Sequence, residues 1–222
     1  MGITLSFESV LKYWPDLLDG AALTLRLSLL AMLVGIAIAI PCAWARADGP
    51  ALLRRVIGIY VELIRNTPLL IQIYIVFFGL PGIGLRLSAD NAALLALALN
   101  VGAYSTEIIR AGIQSIDRGQ LEAGRALGLR GTQIFRLIVL RPALRNIYPA
   151  LTSQFIILML YSSLVSVISA NDLSSVANHI QSVTFRSFEV YILVTAIYFV
   201  LSSGLSAAFA LIYRRFIHYP IR

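Results

Sequence analysis

Gly119 and Gly124 bracket four residues, the spacing with which a phosphate-binding loop begins, but Arg125 and Ala126 follow where that loop needs Lys and then Ser or Thr. The lysine that reaches the terminal phosphates and the hydroxyl that holds magnesium are both missing, so nucleotide hydrolysis is not expected of this segment. The sole lysine, Lys12, stands far upstream. Two carboxylate–guanidinium pairs, Glu62 with Arg65 and Glu107 with Arg110, are spaced i,i+3 and can each meet on one helix face. They read as structural ion pairs or as parts of a gate, and Arg65 and Glu107 fall at similar depth, which allows a pair across helices. Gln72, Asn100, Tyr161, Ser162 and Ser163 interrupt apolar runs. Near a bilayer midplane such groups hydrogen-bond either a zwitterionic solute or a neighbouring helix. Cys42, the single cysteine, reads as a small hydrophobe, and His179 in an outer loop faces water rather than a metal.

What must position these groups follows from composition. Of 222 residues, 59% are hydrophobic and 13% charged, about half the usual charged share, at a mean hydropathy of +0.82. Lipid is the expected surroundings. The net charge of +7 is spread between apolar runs rather than gathered with aromatics, which argues against nucleic acid and for a topology signal. A hydrocarbon core about 30 Å thick takes about 20 residues of helix. Five spans are predicted, at 20–45, 55–80, 90–113, 144–170 and 188–213, all helical because lipid satisfies no backbone polar group. Thirteen of the eighteen basic residues fall in 46–55, 110–145 and the tail, on one side of a five-span chain. The N-terminus is therefore expected outside and the C-terminus in the cytoplasm. Residues 1–18 carry Glu8, Asp16, Tyr13 and Trp14, and read as an interfacial segment on the outer face rather than a cleaved leader. A membrane domain over 19–215 and a cytoplasmic tail over 216–222 complete the expected organisation.

The cytoplasmic loop between the third and fourth spans, about 113–142, is patterned too regularly for a linker. Gln120 to Leu127 is a run of helix formers interrupted by Gly124, and Gly128 supplies a residue able to leave the helix in a left-handed conformation. Leucines 121, 127 and 129 alternate with Arg125 and Arg130. Such an element either lies on the inner leaflet or seats in the groove of a partner. A second amphipathic stretch, Gln133–Leu140, leads to Pro142 and the fourth span.

Glu122-Ala123, Gly128, Ile138 and Leu140 stand in the register of the EAA motif, and the chain resembles the permeases of binding-protein-dependent ABC importers. Two positions depart, Gly124 for the second Ala, and Arg141 for the expected Pro, which comes one residue late at Pro142. The run Arg65-Asn66-Thr67-Pro68-Leu69-Leu70-Ile71-Gln72, with Gly20, Thr24-Leu25, Ala103-Tyr104, Gly119-Gln120, Ser163-Leu164 and Asp172-Leu173, narrows the resemblance to the polar amino-acid uptake permeases, over about 19–215. Many relatives carry Lys before the Ser-Ser-Leu segment; here Leu160 stands there. The resemblance implies a multi-pass subunit of a bacterial inner membrane that is not itself an enzyme. It implies docking of an ABC ATPase dimer through Gln120, Leu121, Glu122, Ala123, Gly124, Leu127, Gly128 and Leu129. ATP and magnesium would sit on that ATPase, with no cofactor on this chain. A second permease subunit, an extracytoplasmic solute-binding protein and an amino-acid substrate are the other implied partners, and Tyr104 joins the path candidates. The competing reading is a stand-alone ion-coupled carrier or channel using Glu62 or Glu107 as its proton-binding carboxylate.

Overall fold

The computed structural model describes residues 5–217, and every element among them is helical. The ends of the interfacial segment and of the cytoplasmic tail, 1–4 and 218–222, lie outside the described residues.

A short helix α1 (Glu8–Leu11) leads into α2 (Trp14–Asp48), whose 35 residues at 1.5 Å each span about 52 Å and exceed the hydrocarbon core. The first span thus begins at Trp14 rather than near 20 and absorbs the end of the expected interfacial segment. Val10 and Leu17 are buried with Leu173, Ile180 and Val190, so this region packs on protein. Leu11, Trp14 and Leu18 stay exposed, as a membrane-interface face requires.

The buried stripe of α2 is made of small residues, Gly20, Thr24, Ser28, Ala31, Gly35 and Ala39 among them. It lies against Ala92, Ala93, Ala96 and Val101 of α5 (Ala89–Gln114), and small side chains let two backbones approach closely where lipid gives no hydrophobic drive. Gly35 and Gly102 mark the closest approach: a Cβ on Gly102 would sit 3.4 Å from the Gly35 carbonyl oxygen.

Leu27 packs with Ala92 and Ala93 near the start of α5, and Arg46 reaches Glu107 near its end. The two helices therefore run in the same direction, and the chain between them must return across the membrane. It does so as a broken element, α3 (Ala51–Arg65) and then α4 (Leu69–Tyr74), which runs on through a π-turn (Ile75–Gly79) and a 3-10 turn to Ile83, with a bend of 109° between the two halves. The straight second span expected over 55–80 is corrected here. Pro68 has no N–H to give, and it pushes Thr67 out of the helical region, so the helix stops at Arg65.

The fourth span is longer than expected. α7 (Gly131–Ile134), a π-turn over Phe135–Val139, α8 (Leu140–Tyr161) and a 3-10 stretch over Ser162–Ile168 form one run of 38 residues. The Arg141-Pro142 departure makes no turn at all. Pro142 stands within the helical run, just after the π-turn, the kind of local widening that accommodates a residue with no N–H. Outer helix α9 (Leu173–Thr184) then leads to α10 (Ser187–Ile212), whose Phe199, Val200 and Leu211 are exposed to lipid. With the broken element taken as one crossing, five spans result.

Candidate functional site

The loop between α5 and α8 folds as a short helix, α6 (Arg118–Ala126), fixed at both ends. Asp117 Oδ1 accepts from the Gly119 backbone N–H at 2.7 Å and caps the start. At the other end Gly128 takes φ +74°, its N–H donating to Arg125 O at 2.9 Å while the Leu129 N–H donates to Gly124 O at 3.1 Å. This pair of bonds is a Schellman motif, and it satisfies carbonyls the helix end leaves open. Gly124 is buried, and a Cβ there would come within 2.6 Å of Ile138 Cδ1. The glycine in place of the second alanine of the motif lets α6 settle on the helix that follows.

Leu121 and Leu129 turn inward with it onto Ile116, Ile134 and Val139. Of the eight expected docking residues, Leu121, Gly124 and Leu129 therefore support the helix from beneath. Gln120, Glu122, Ala123, Leu127 and Gly128 face outward, Leu127 with 80% of its surface open. Arg125 and Ala126 share that outward surface. The base is stiff: Asn146 of α8 donates to Ser115 Oγ at 3.0 Å, and Gly112 of α5 lies against Ile147. α6 rests through Leu121 and Leu129 on a cluster that includes Ile113 of α5 and Ala143 of α8.

Above the loop a polar cleft of about 360 Å³ opens between α2, α3 and α5, lined by Arg46, Glu62, Arg65, Asn66, Tyr104 and Glu107. Arg110 holds Glu107 Oε2 with both Nε, at 3.1 Å, and Nη2, at 2.6 Å, and also donates to Gln114 at 2.6 Å. The cross-helix partner of Glu107 is Arg46 of α2, whose Nε lies 3.0 Å from Oε1, and not Arg65. That contact is ionic rather than directional, for the N–H is not aligned on the oxygen. Among the described residues Glu62 and Arg65 form no ion pair; Arg65 instead lies over the Tyr104 ring, 5.3 Å from its centre. The i,i+3 expectation holds for Glu107–Arg110 and fails for Glu62–Arg65. Both members of the second pair are exposed at the end of α3, where water competes and the break in the helix begins.

Gln72 and Asn100 are brought together, and Gln72 has a structural partner set. Asn100 Nδ2 donates to Gln72 Oε1 at 3.0 Å. Gln72 Nε2 in turn donates to Ile64 O at 2.8 Å and to Thr67 O at 3.0 Å. Asn66 Nδ2 donates to Glu62 O and Thr67 Oγ1 to Leu63 O. Side chains from the break and from α4 thus cap the carbonyls that Pro68 leaves without partners. Substituting leucine for Gln72 keeps the volume but strands the Ile64 carbonyl and the Asn100 amide, at a cost of about 2–4 kcal/mol. The expected outcome is a Tm lowered by several degrees in detergent, with Gln72→Glu failing to rescue it; an unchanged Tm would refute the brace.

Ser162 is fully buried and donates to Met159 O at 2.7 Å, while Ser163 is half-buried and donates to Leu160 O at 2.8 Å. Tyr161, half exposed, is the open member of that trio. At the outer end, Asp172 is buried and caps α9, accepting from the backbone N–H groups of Ser174 and Ser175 at 3.1 and 3.0 Å. Burial pushes its carboxyl up to about 6 against the pull of those bonds. Thr24 of α2 accepts from Leu173 N–H, and Ser174 meets Tyr198 of α10 at 3.1 Å. Sequence reasoning gave no role to Arg46 or to this outer hub. The Asp-Leu-Ser-Ser run was a readable helix cap, whereas Arg46 counted only toward topology.

Residues 31–218 match the family model described as the binding-protein-dependent transport system inner membrane component. The chain belongs to that family of permeases. It is 34% identical over 199 residues to the putative glutamine transport system permease protein GlnP of Rickettsia bellii, covering 88% of this chain and 91% of that one. It is 36% identical to the probable glutamine ABC transporter permease protein GlnM of Bacillus subtilis, covering 93% and 94%. A crystal structure of an amino acid ABC transporter with histidines superposes with a TM-score of 0.89 at 41% identity, over 96% of this chain and all of that one. A chain from an inward-facing structure of the MetNI methionine ABC transporter shares the fold, with a TM-score of 0.77 at 22% identity over 91% of this chain and 97% of that one. This permease is thus a multi-pass protein of the bacterial inner membrane.

Proposed function

We propose that the permease forms the transmembrane path of an ATP-driven importer for polar amino acids, and that α6 is the element through which a separate ATPase moves it. The outward face of α6 carries the proposal: an exposed Glu122 on a helix capped at both ends and an exposed Leu127 at its C-terminal cap, mounted through Leu121 and Leu129 on a cluster that includes Ile113 of α5 and Ala143 of α8. A solitary leucine held out into water by a rigid mount fits a partner groove better than a solvated surface. ATP-driven closure of the partner would shift α6, and the shift would pass into the two spans that flank the loop. The named relatives support amino acids as the substrate class. A second permease copy or paralogue and an extracytoplasmic binding protein complete the proposed assembly.

The polar cleft is the proposed inner part of the path. Tyr104, Arg65 and Glu62 offer a ring face, a cation and a carboxylate to a zwitterion, whereas Glu107 is held by two arginines. That engagement also disfavours Glu107 as the carboxylate of an ion-coupled carrier. Gln72 and Asn100 would support the path from behind, and Tyr161 with Ser163 would line its middle.

Glu122→Lys is the direct test. The variant should reach the membrane at normal level, lose at least ~90% of co-purifying ATPase subunit, and lose uptake with it, as expected when a charge is reversed at an interface centre. Retained ATPase together with normal uptake would overturn the docking reading, and uptake by the chain alone in liposomes would restore the carrier.

A further inference from the structure

We propose that the face of α7 and α8 running from Thr132 to Ile156 binds an anionic phospholipid of the inner leaflet, its phosphate at Arg136 and Arg141 and an acyl chain between α8 and α10. Two cavities that the transport reading does not use lie along this one face. The lower, about 680 Å³, is lined by Thr132, Gln133, Arg136, Leu137, Leu140 and Arg141. The upper, about 230 Å³, lies between α8 and α10, with Tyr148, Pro149, Thr152 and Ile156 on one wall and Ser206 and Phe209 on the other. At about 100° per residue, Tyr148 and Thr152 of α8 fall within about 20° of Arg141 round the helix, with Pro149 and Ile156 within about 80° of it. The opposite face is used up in packing, with Ile134, Val139, Ala143 and Ile147 buried.

Polarity divides the stripe as it divides a lipid. The cytoplasmic end presents two guanidiniums, a hydroxyl and an amide beside Leu137 and Leu140, and the membrane end presents proline, isoleucine and aromatic rings with no charge, its polar groups being the hydroxyls of Tyr148, Thr152, Ser206 and Tyr213. From Arg141 to Thr152 the helix rises about 16 Å, close to half of a roughly 30 Å hydrocarbon core. Arg214 and Arg215 follow directly on Tyr213, which lies 5.4 Å ring to ring from Tyr148, so the base of α10 adds positive charge beside the slot. Tyr148 also donates to Phe209 O at 2.7 Å and pins the two walls together there. Basic recesses between spans on the cytoplasmic side suit anionic headgroups, whose phosphate takes guanidinium bonds in a fixed fork. A second copy of this chain would bring the same arginines to the face and repel it.

The test uses the permease as extracted from membranes with whatever subunits it carries, followed by native mass spectrometry. Phosphatidylglycerol should be retained in preference to phosphatidylcholine. Arg136→Gln with Arg141→Gln should reduce that preference roughly 25-fold, about fivefold per arginine. Thr152→Trp or Ser206→Trp, from opposite walls of the slot, should each lower retention of both lipids. The proposal is overturned if the two lipids are retained equally, or if the double variant keeps its preference. Displacement of phosphatidylglycerol by an equal concentration of glycerol 3-phosphate would also overturn it, since the headgroup alone would then account for binding. A change of subunit stoichiometry in the double variant with lipid retention unchanged would make the face a protein interface instead.

Discussion

Replacing Gly128 by valine is expected to leave the permease in the membrane at near-normal level while reducing ATP-driven uptake by roughly tenfold or more, because a left-handed residue with a Cβ costs about 1–2 kcal/mol and a β-branched one more. Gly128 holds φ +74° with no atom within 4 Å of where a Cβ would stand, so the new side chain meets no neighbour and the penalty is purely conformational. The chain escapes it by leaving the left-handed region. That breaks the bonds from Gly128 and Leu129 to Arg125 and Gly124, frays the end of α6 and moves Leu127. Gly131, three residues on, is the control. It too has open space around it, but its φ is not positive, and it begins a helix. Gly131→Val should therefore keep most of its uptake. Equal losses in the two variants would mean that bulk on the loop, not the helix terminus, is what matters. Normal uptake in Gly128→Val would show that the Schellman end of α6 does not position the docking face.

Gly35→Leu is expected to abolish folded protein altogether. A Cβ at Gly35 would collide with Val101 and lie 3.1 Å from Ala98 O and 3.2 Å from Gly102 N. Two of those three neighbours are backbone, which cannot swing aside as a side chain does. The helices would have to separate along their longest contact, at about 3 kcal/mol or more, the upper range for overpacking. Adding Val101→Ala should restore little, since the carbonyl and the amide remain in the way. Gly204 of α10 gives the comparison, for nothing lies within 4 Å of a Cβ there. Gly204→Leu should raise helix propensity and preserve yield. The measurement is monodisperse protein recovered by size-exclusion chromatography after detergent extraction. Recovery of Gly35→Leu at the level of Gly204→Leu would show that α2 and α5 do not meet as described.

The most readable features of the sequence are those that depend on local chemistry repeated over many residues. Long apolar runs between arginines require helices across a membrane, and the uneven distribution of those arginines sets their direction. Gly128 after a run of helix formers announced the end of α6, and with no Lys and Ser/Thr after Gly124 the loop gives no phosphate-binding signal. The EAA register named the family before any coordinate was needed.

Tertiary structure decided what depends on which surfaces meet. Gly124 counted as one more docking residue until Ile138 was seen to occupy the space a Cβ would need. Gln72 read equally as a solute ligand or as a bond between helices, and the break at Pro68 leaves a carbonyl for it to cap. Sequence spacing offered Glu107 two arginines, Arg110 and Arg65, and it took Arg110 and Arg46, since α2 and α5 run side by side in the same direction. Spacing along a chain fixes partners only within one helix, where i and i+3 are neighbours whatever the fold. Between helices the partner is chosen by register and direction, and those rest on the small-residue stripe around Gly35 and Gly102, a close approach that no single residue in the sequence reveals.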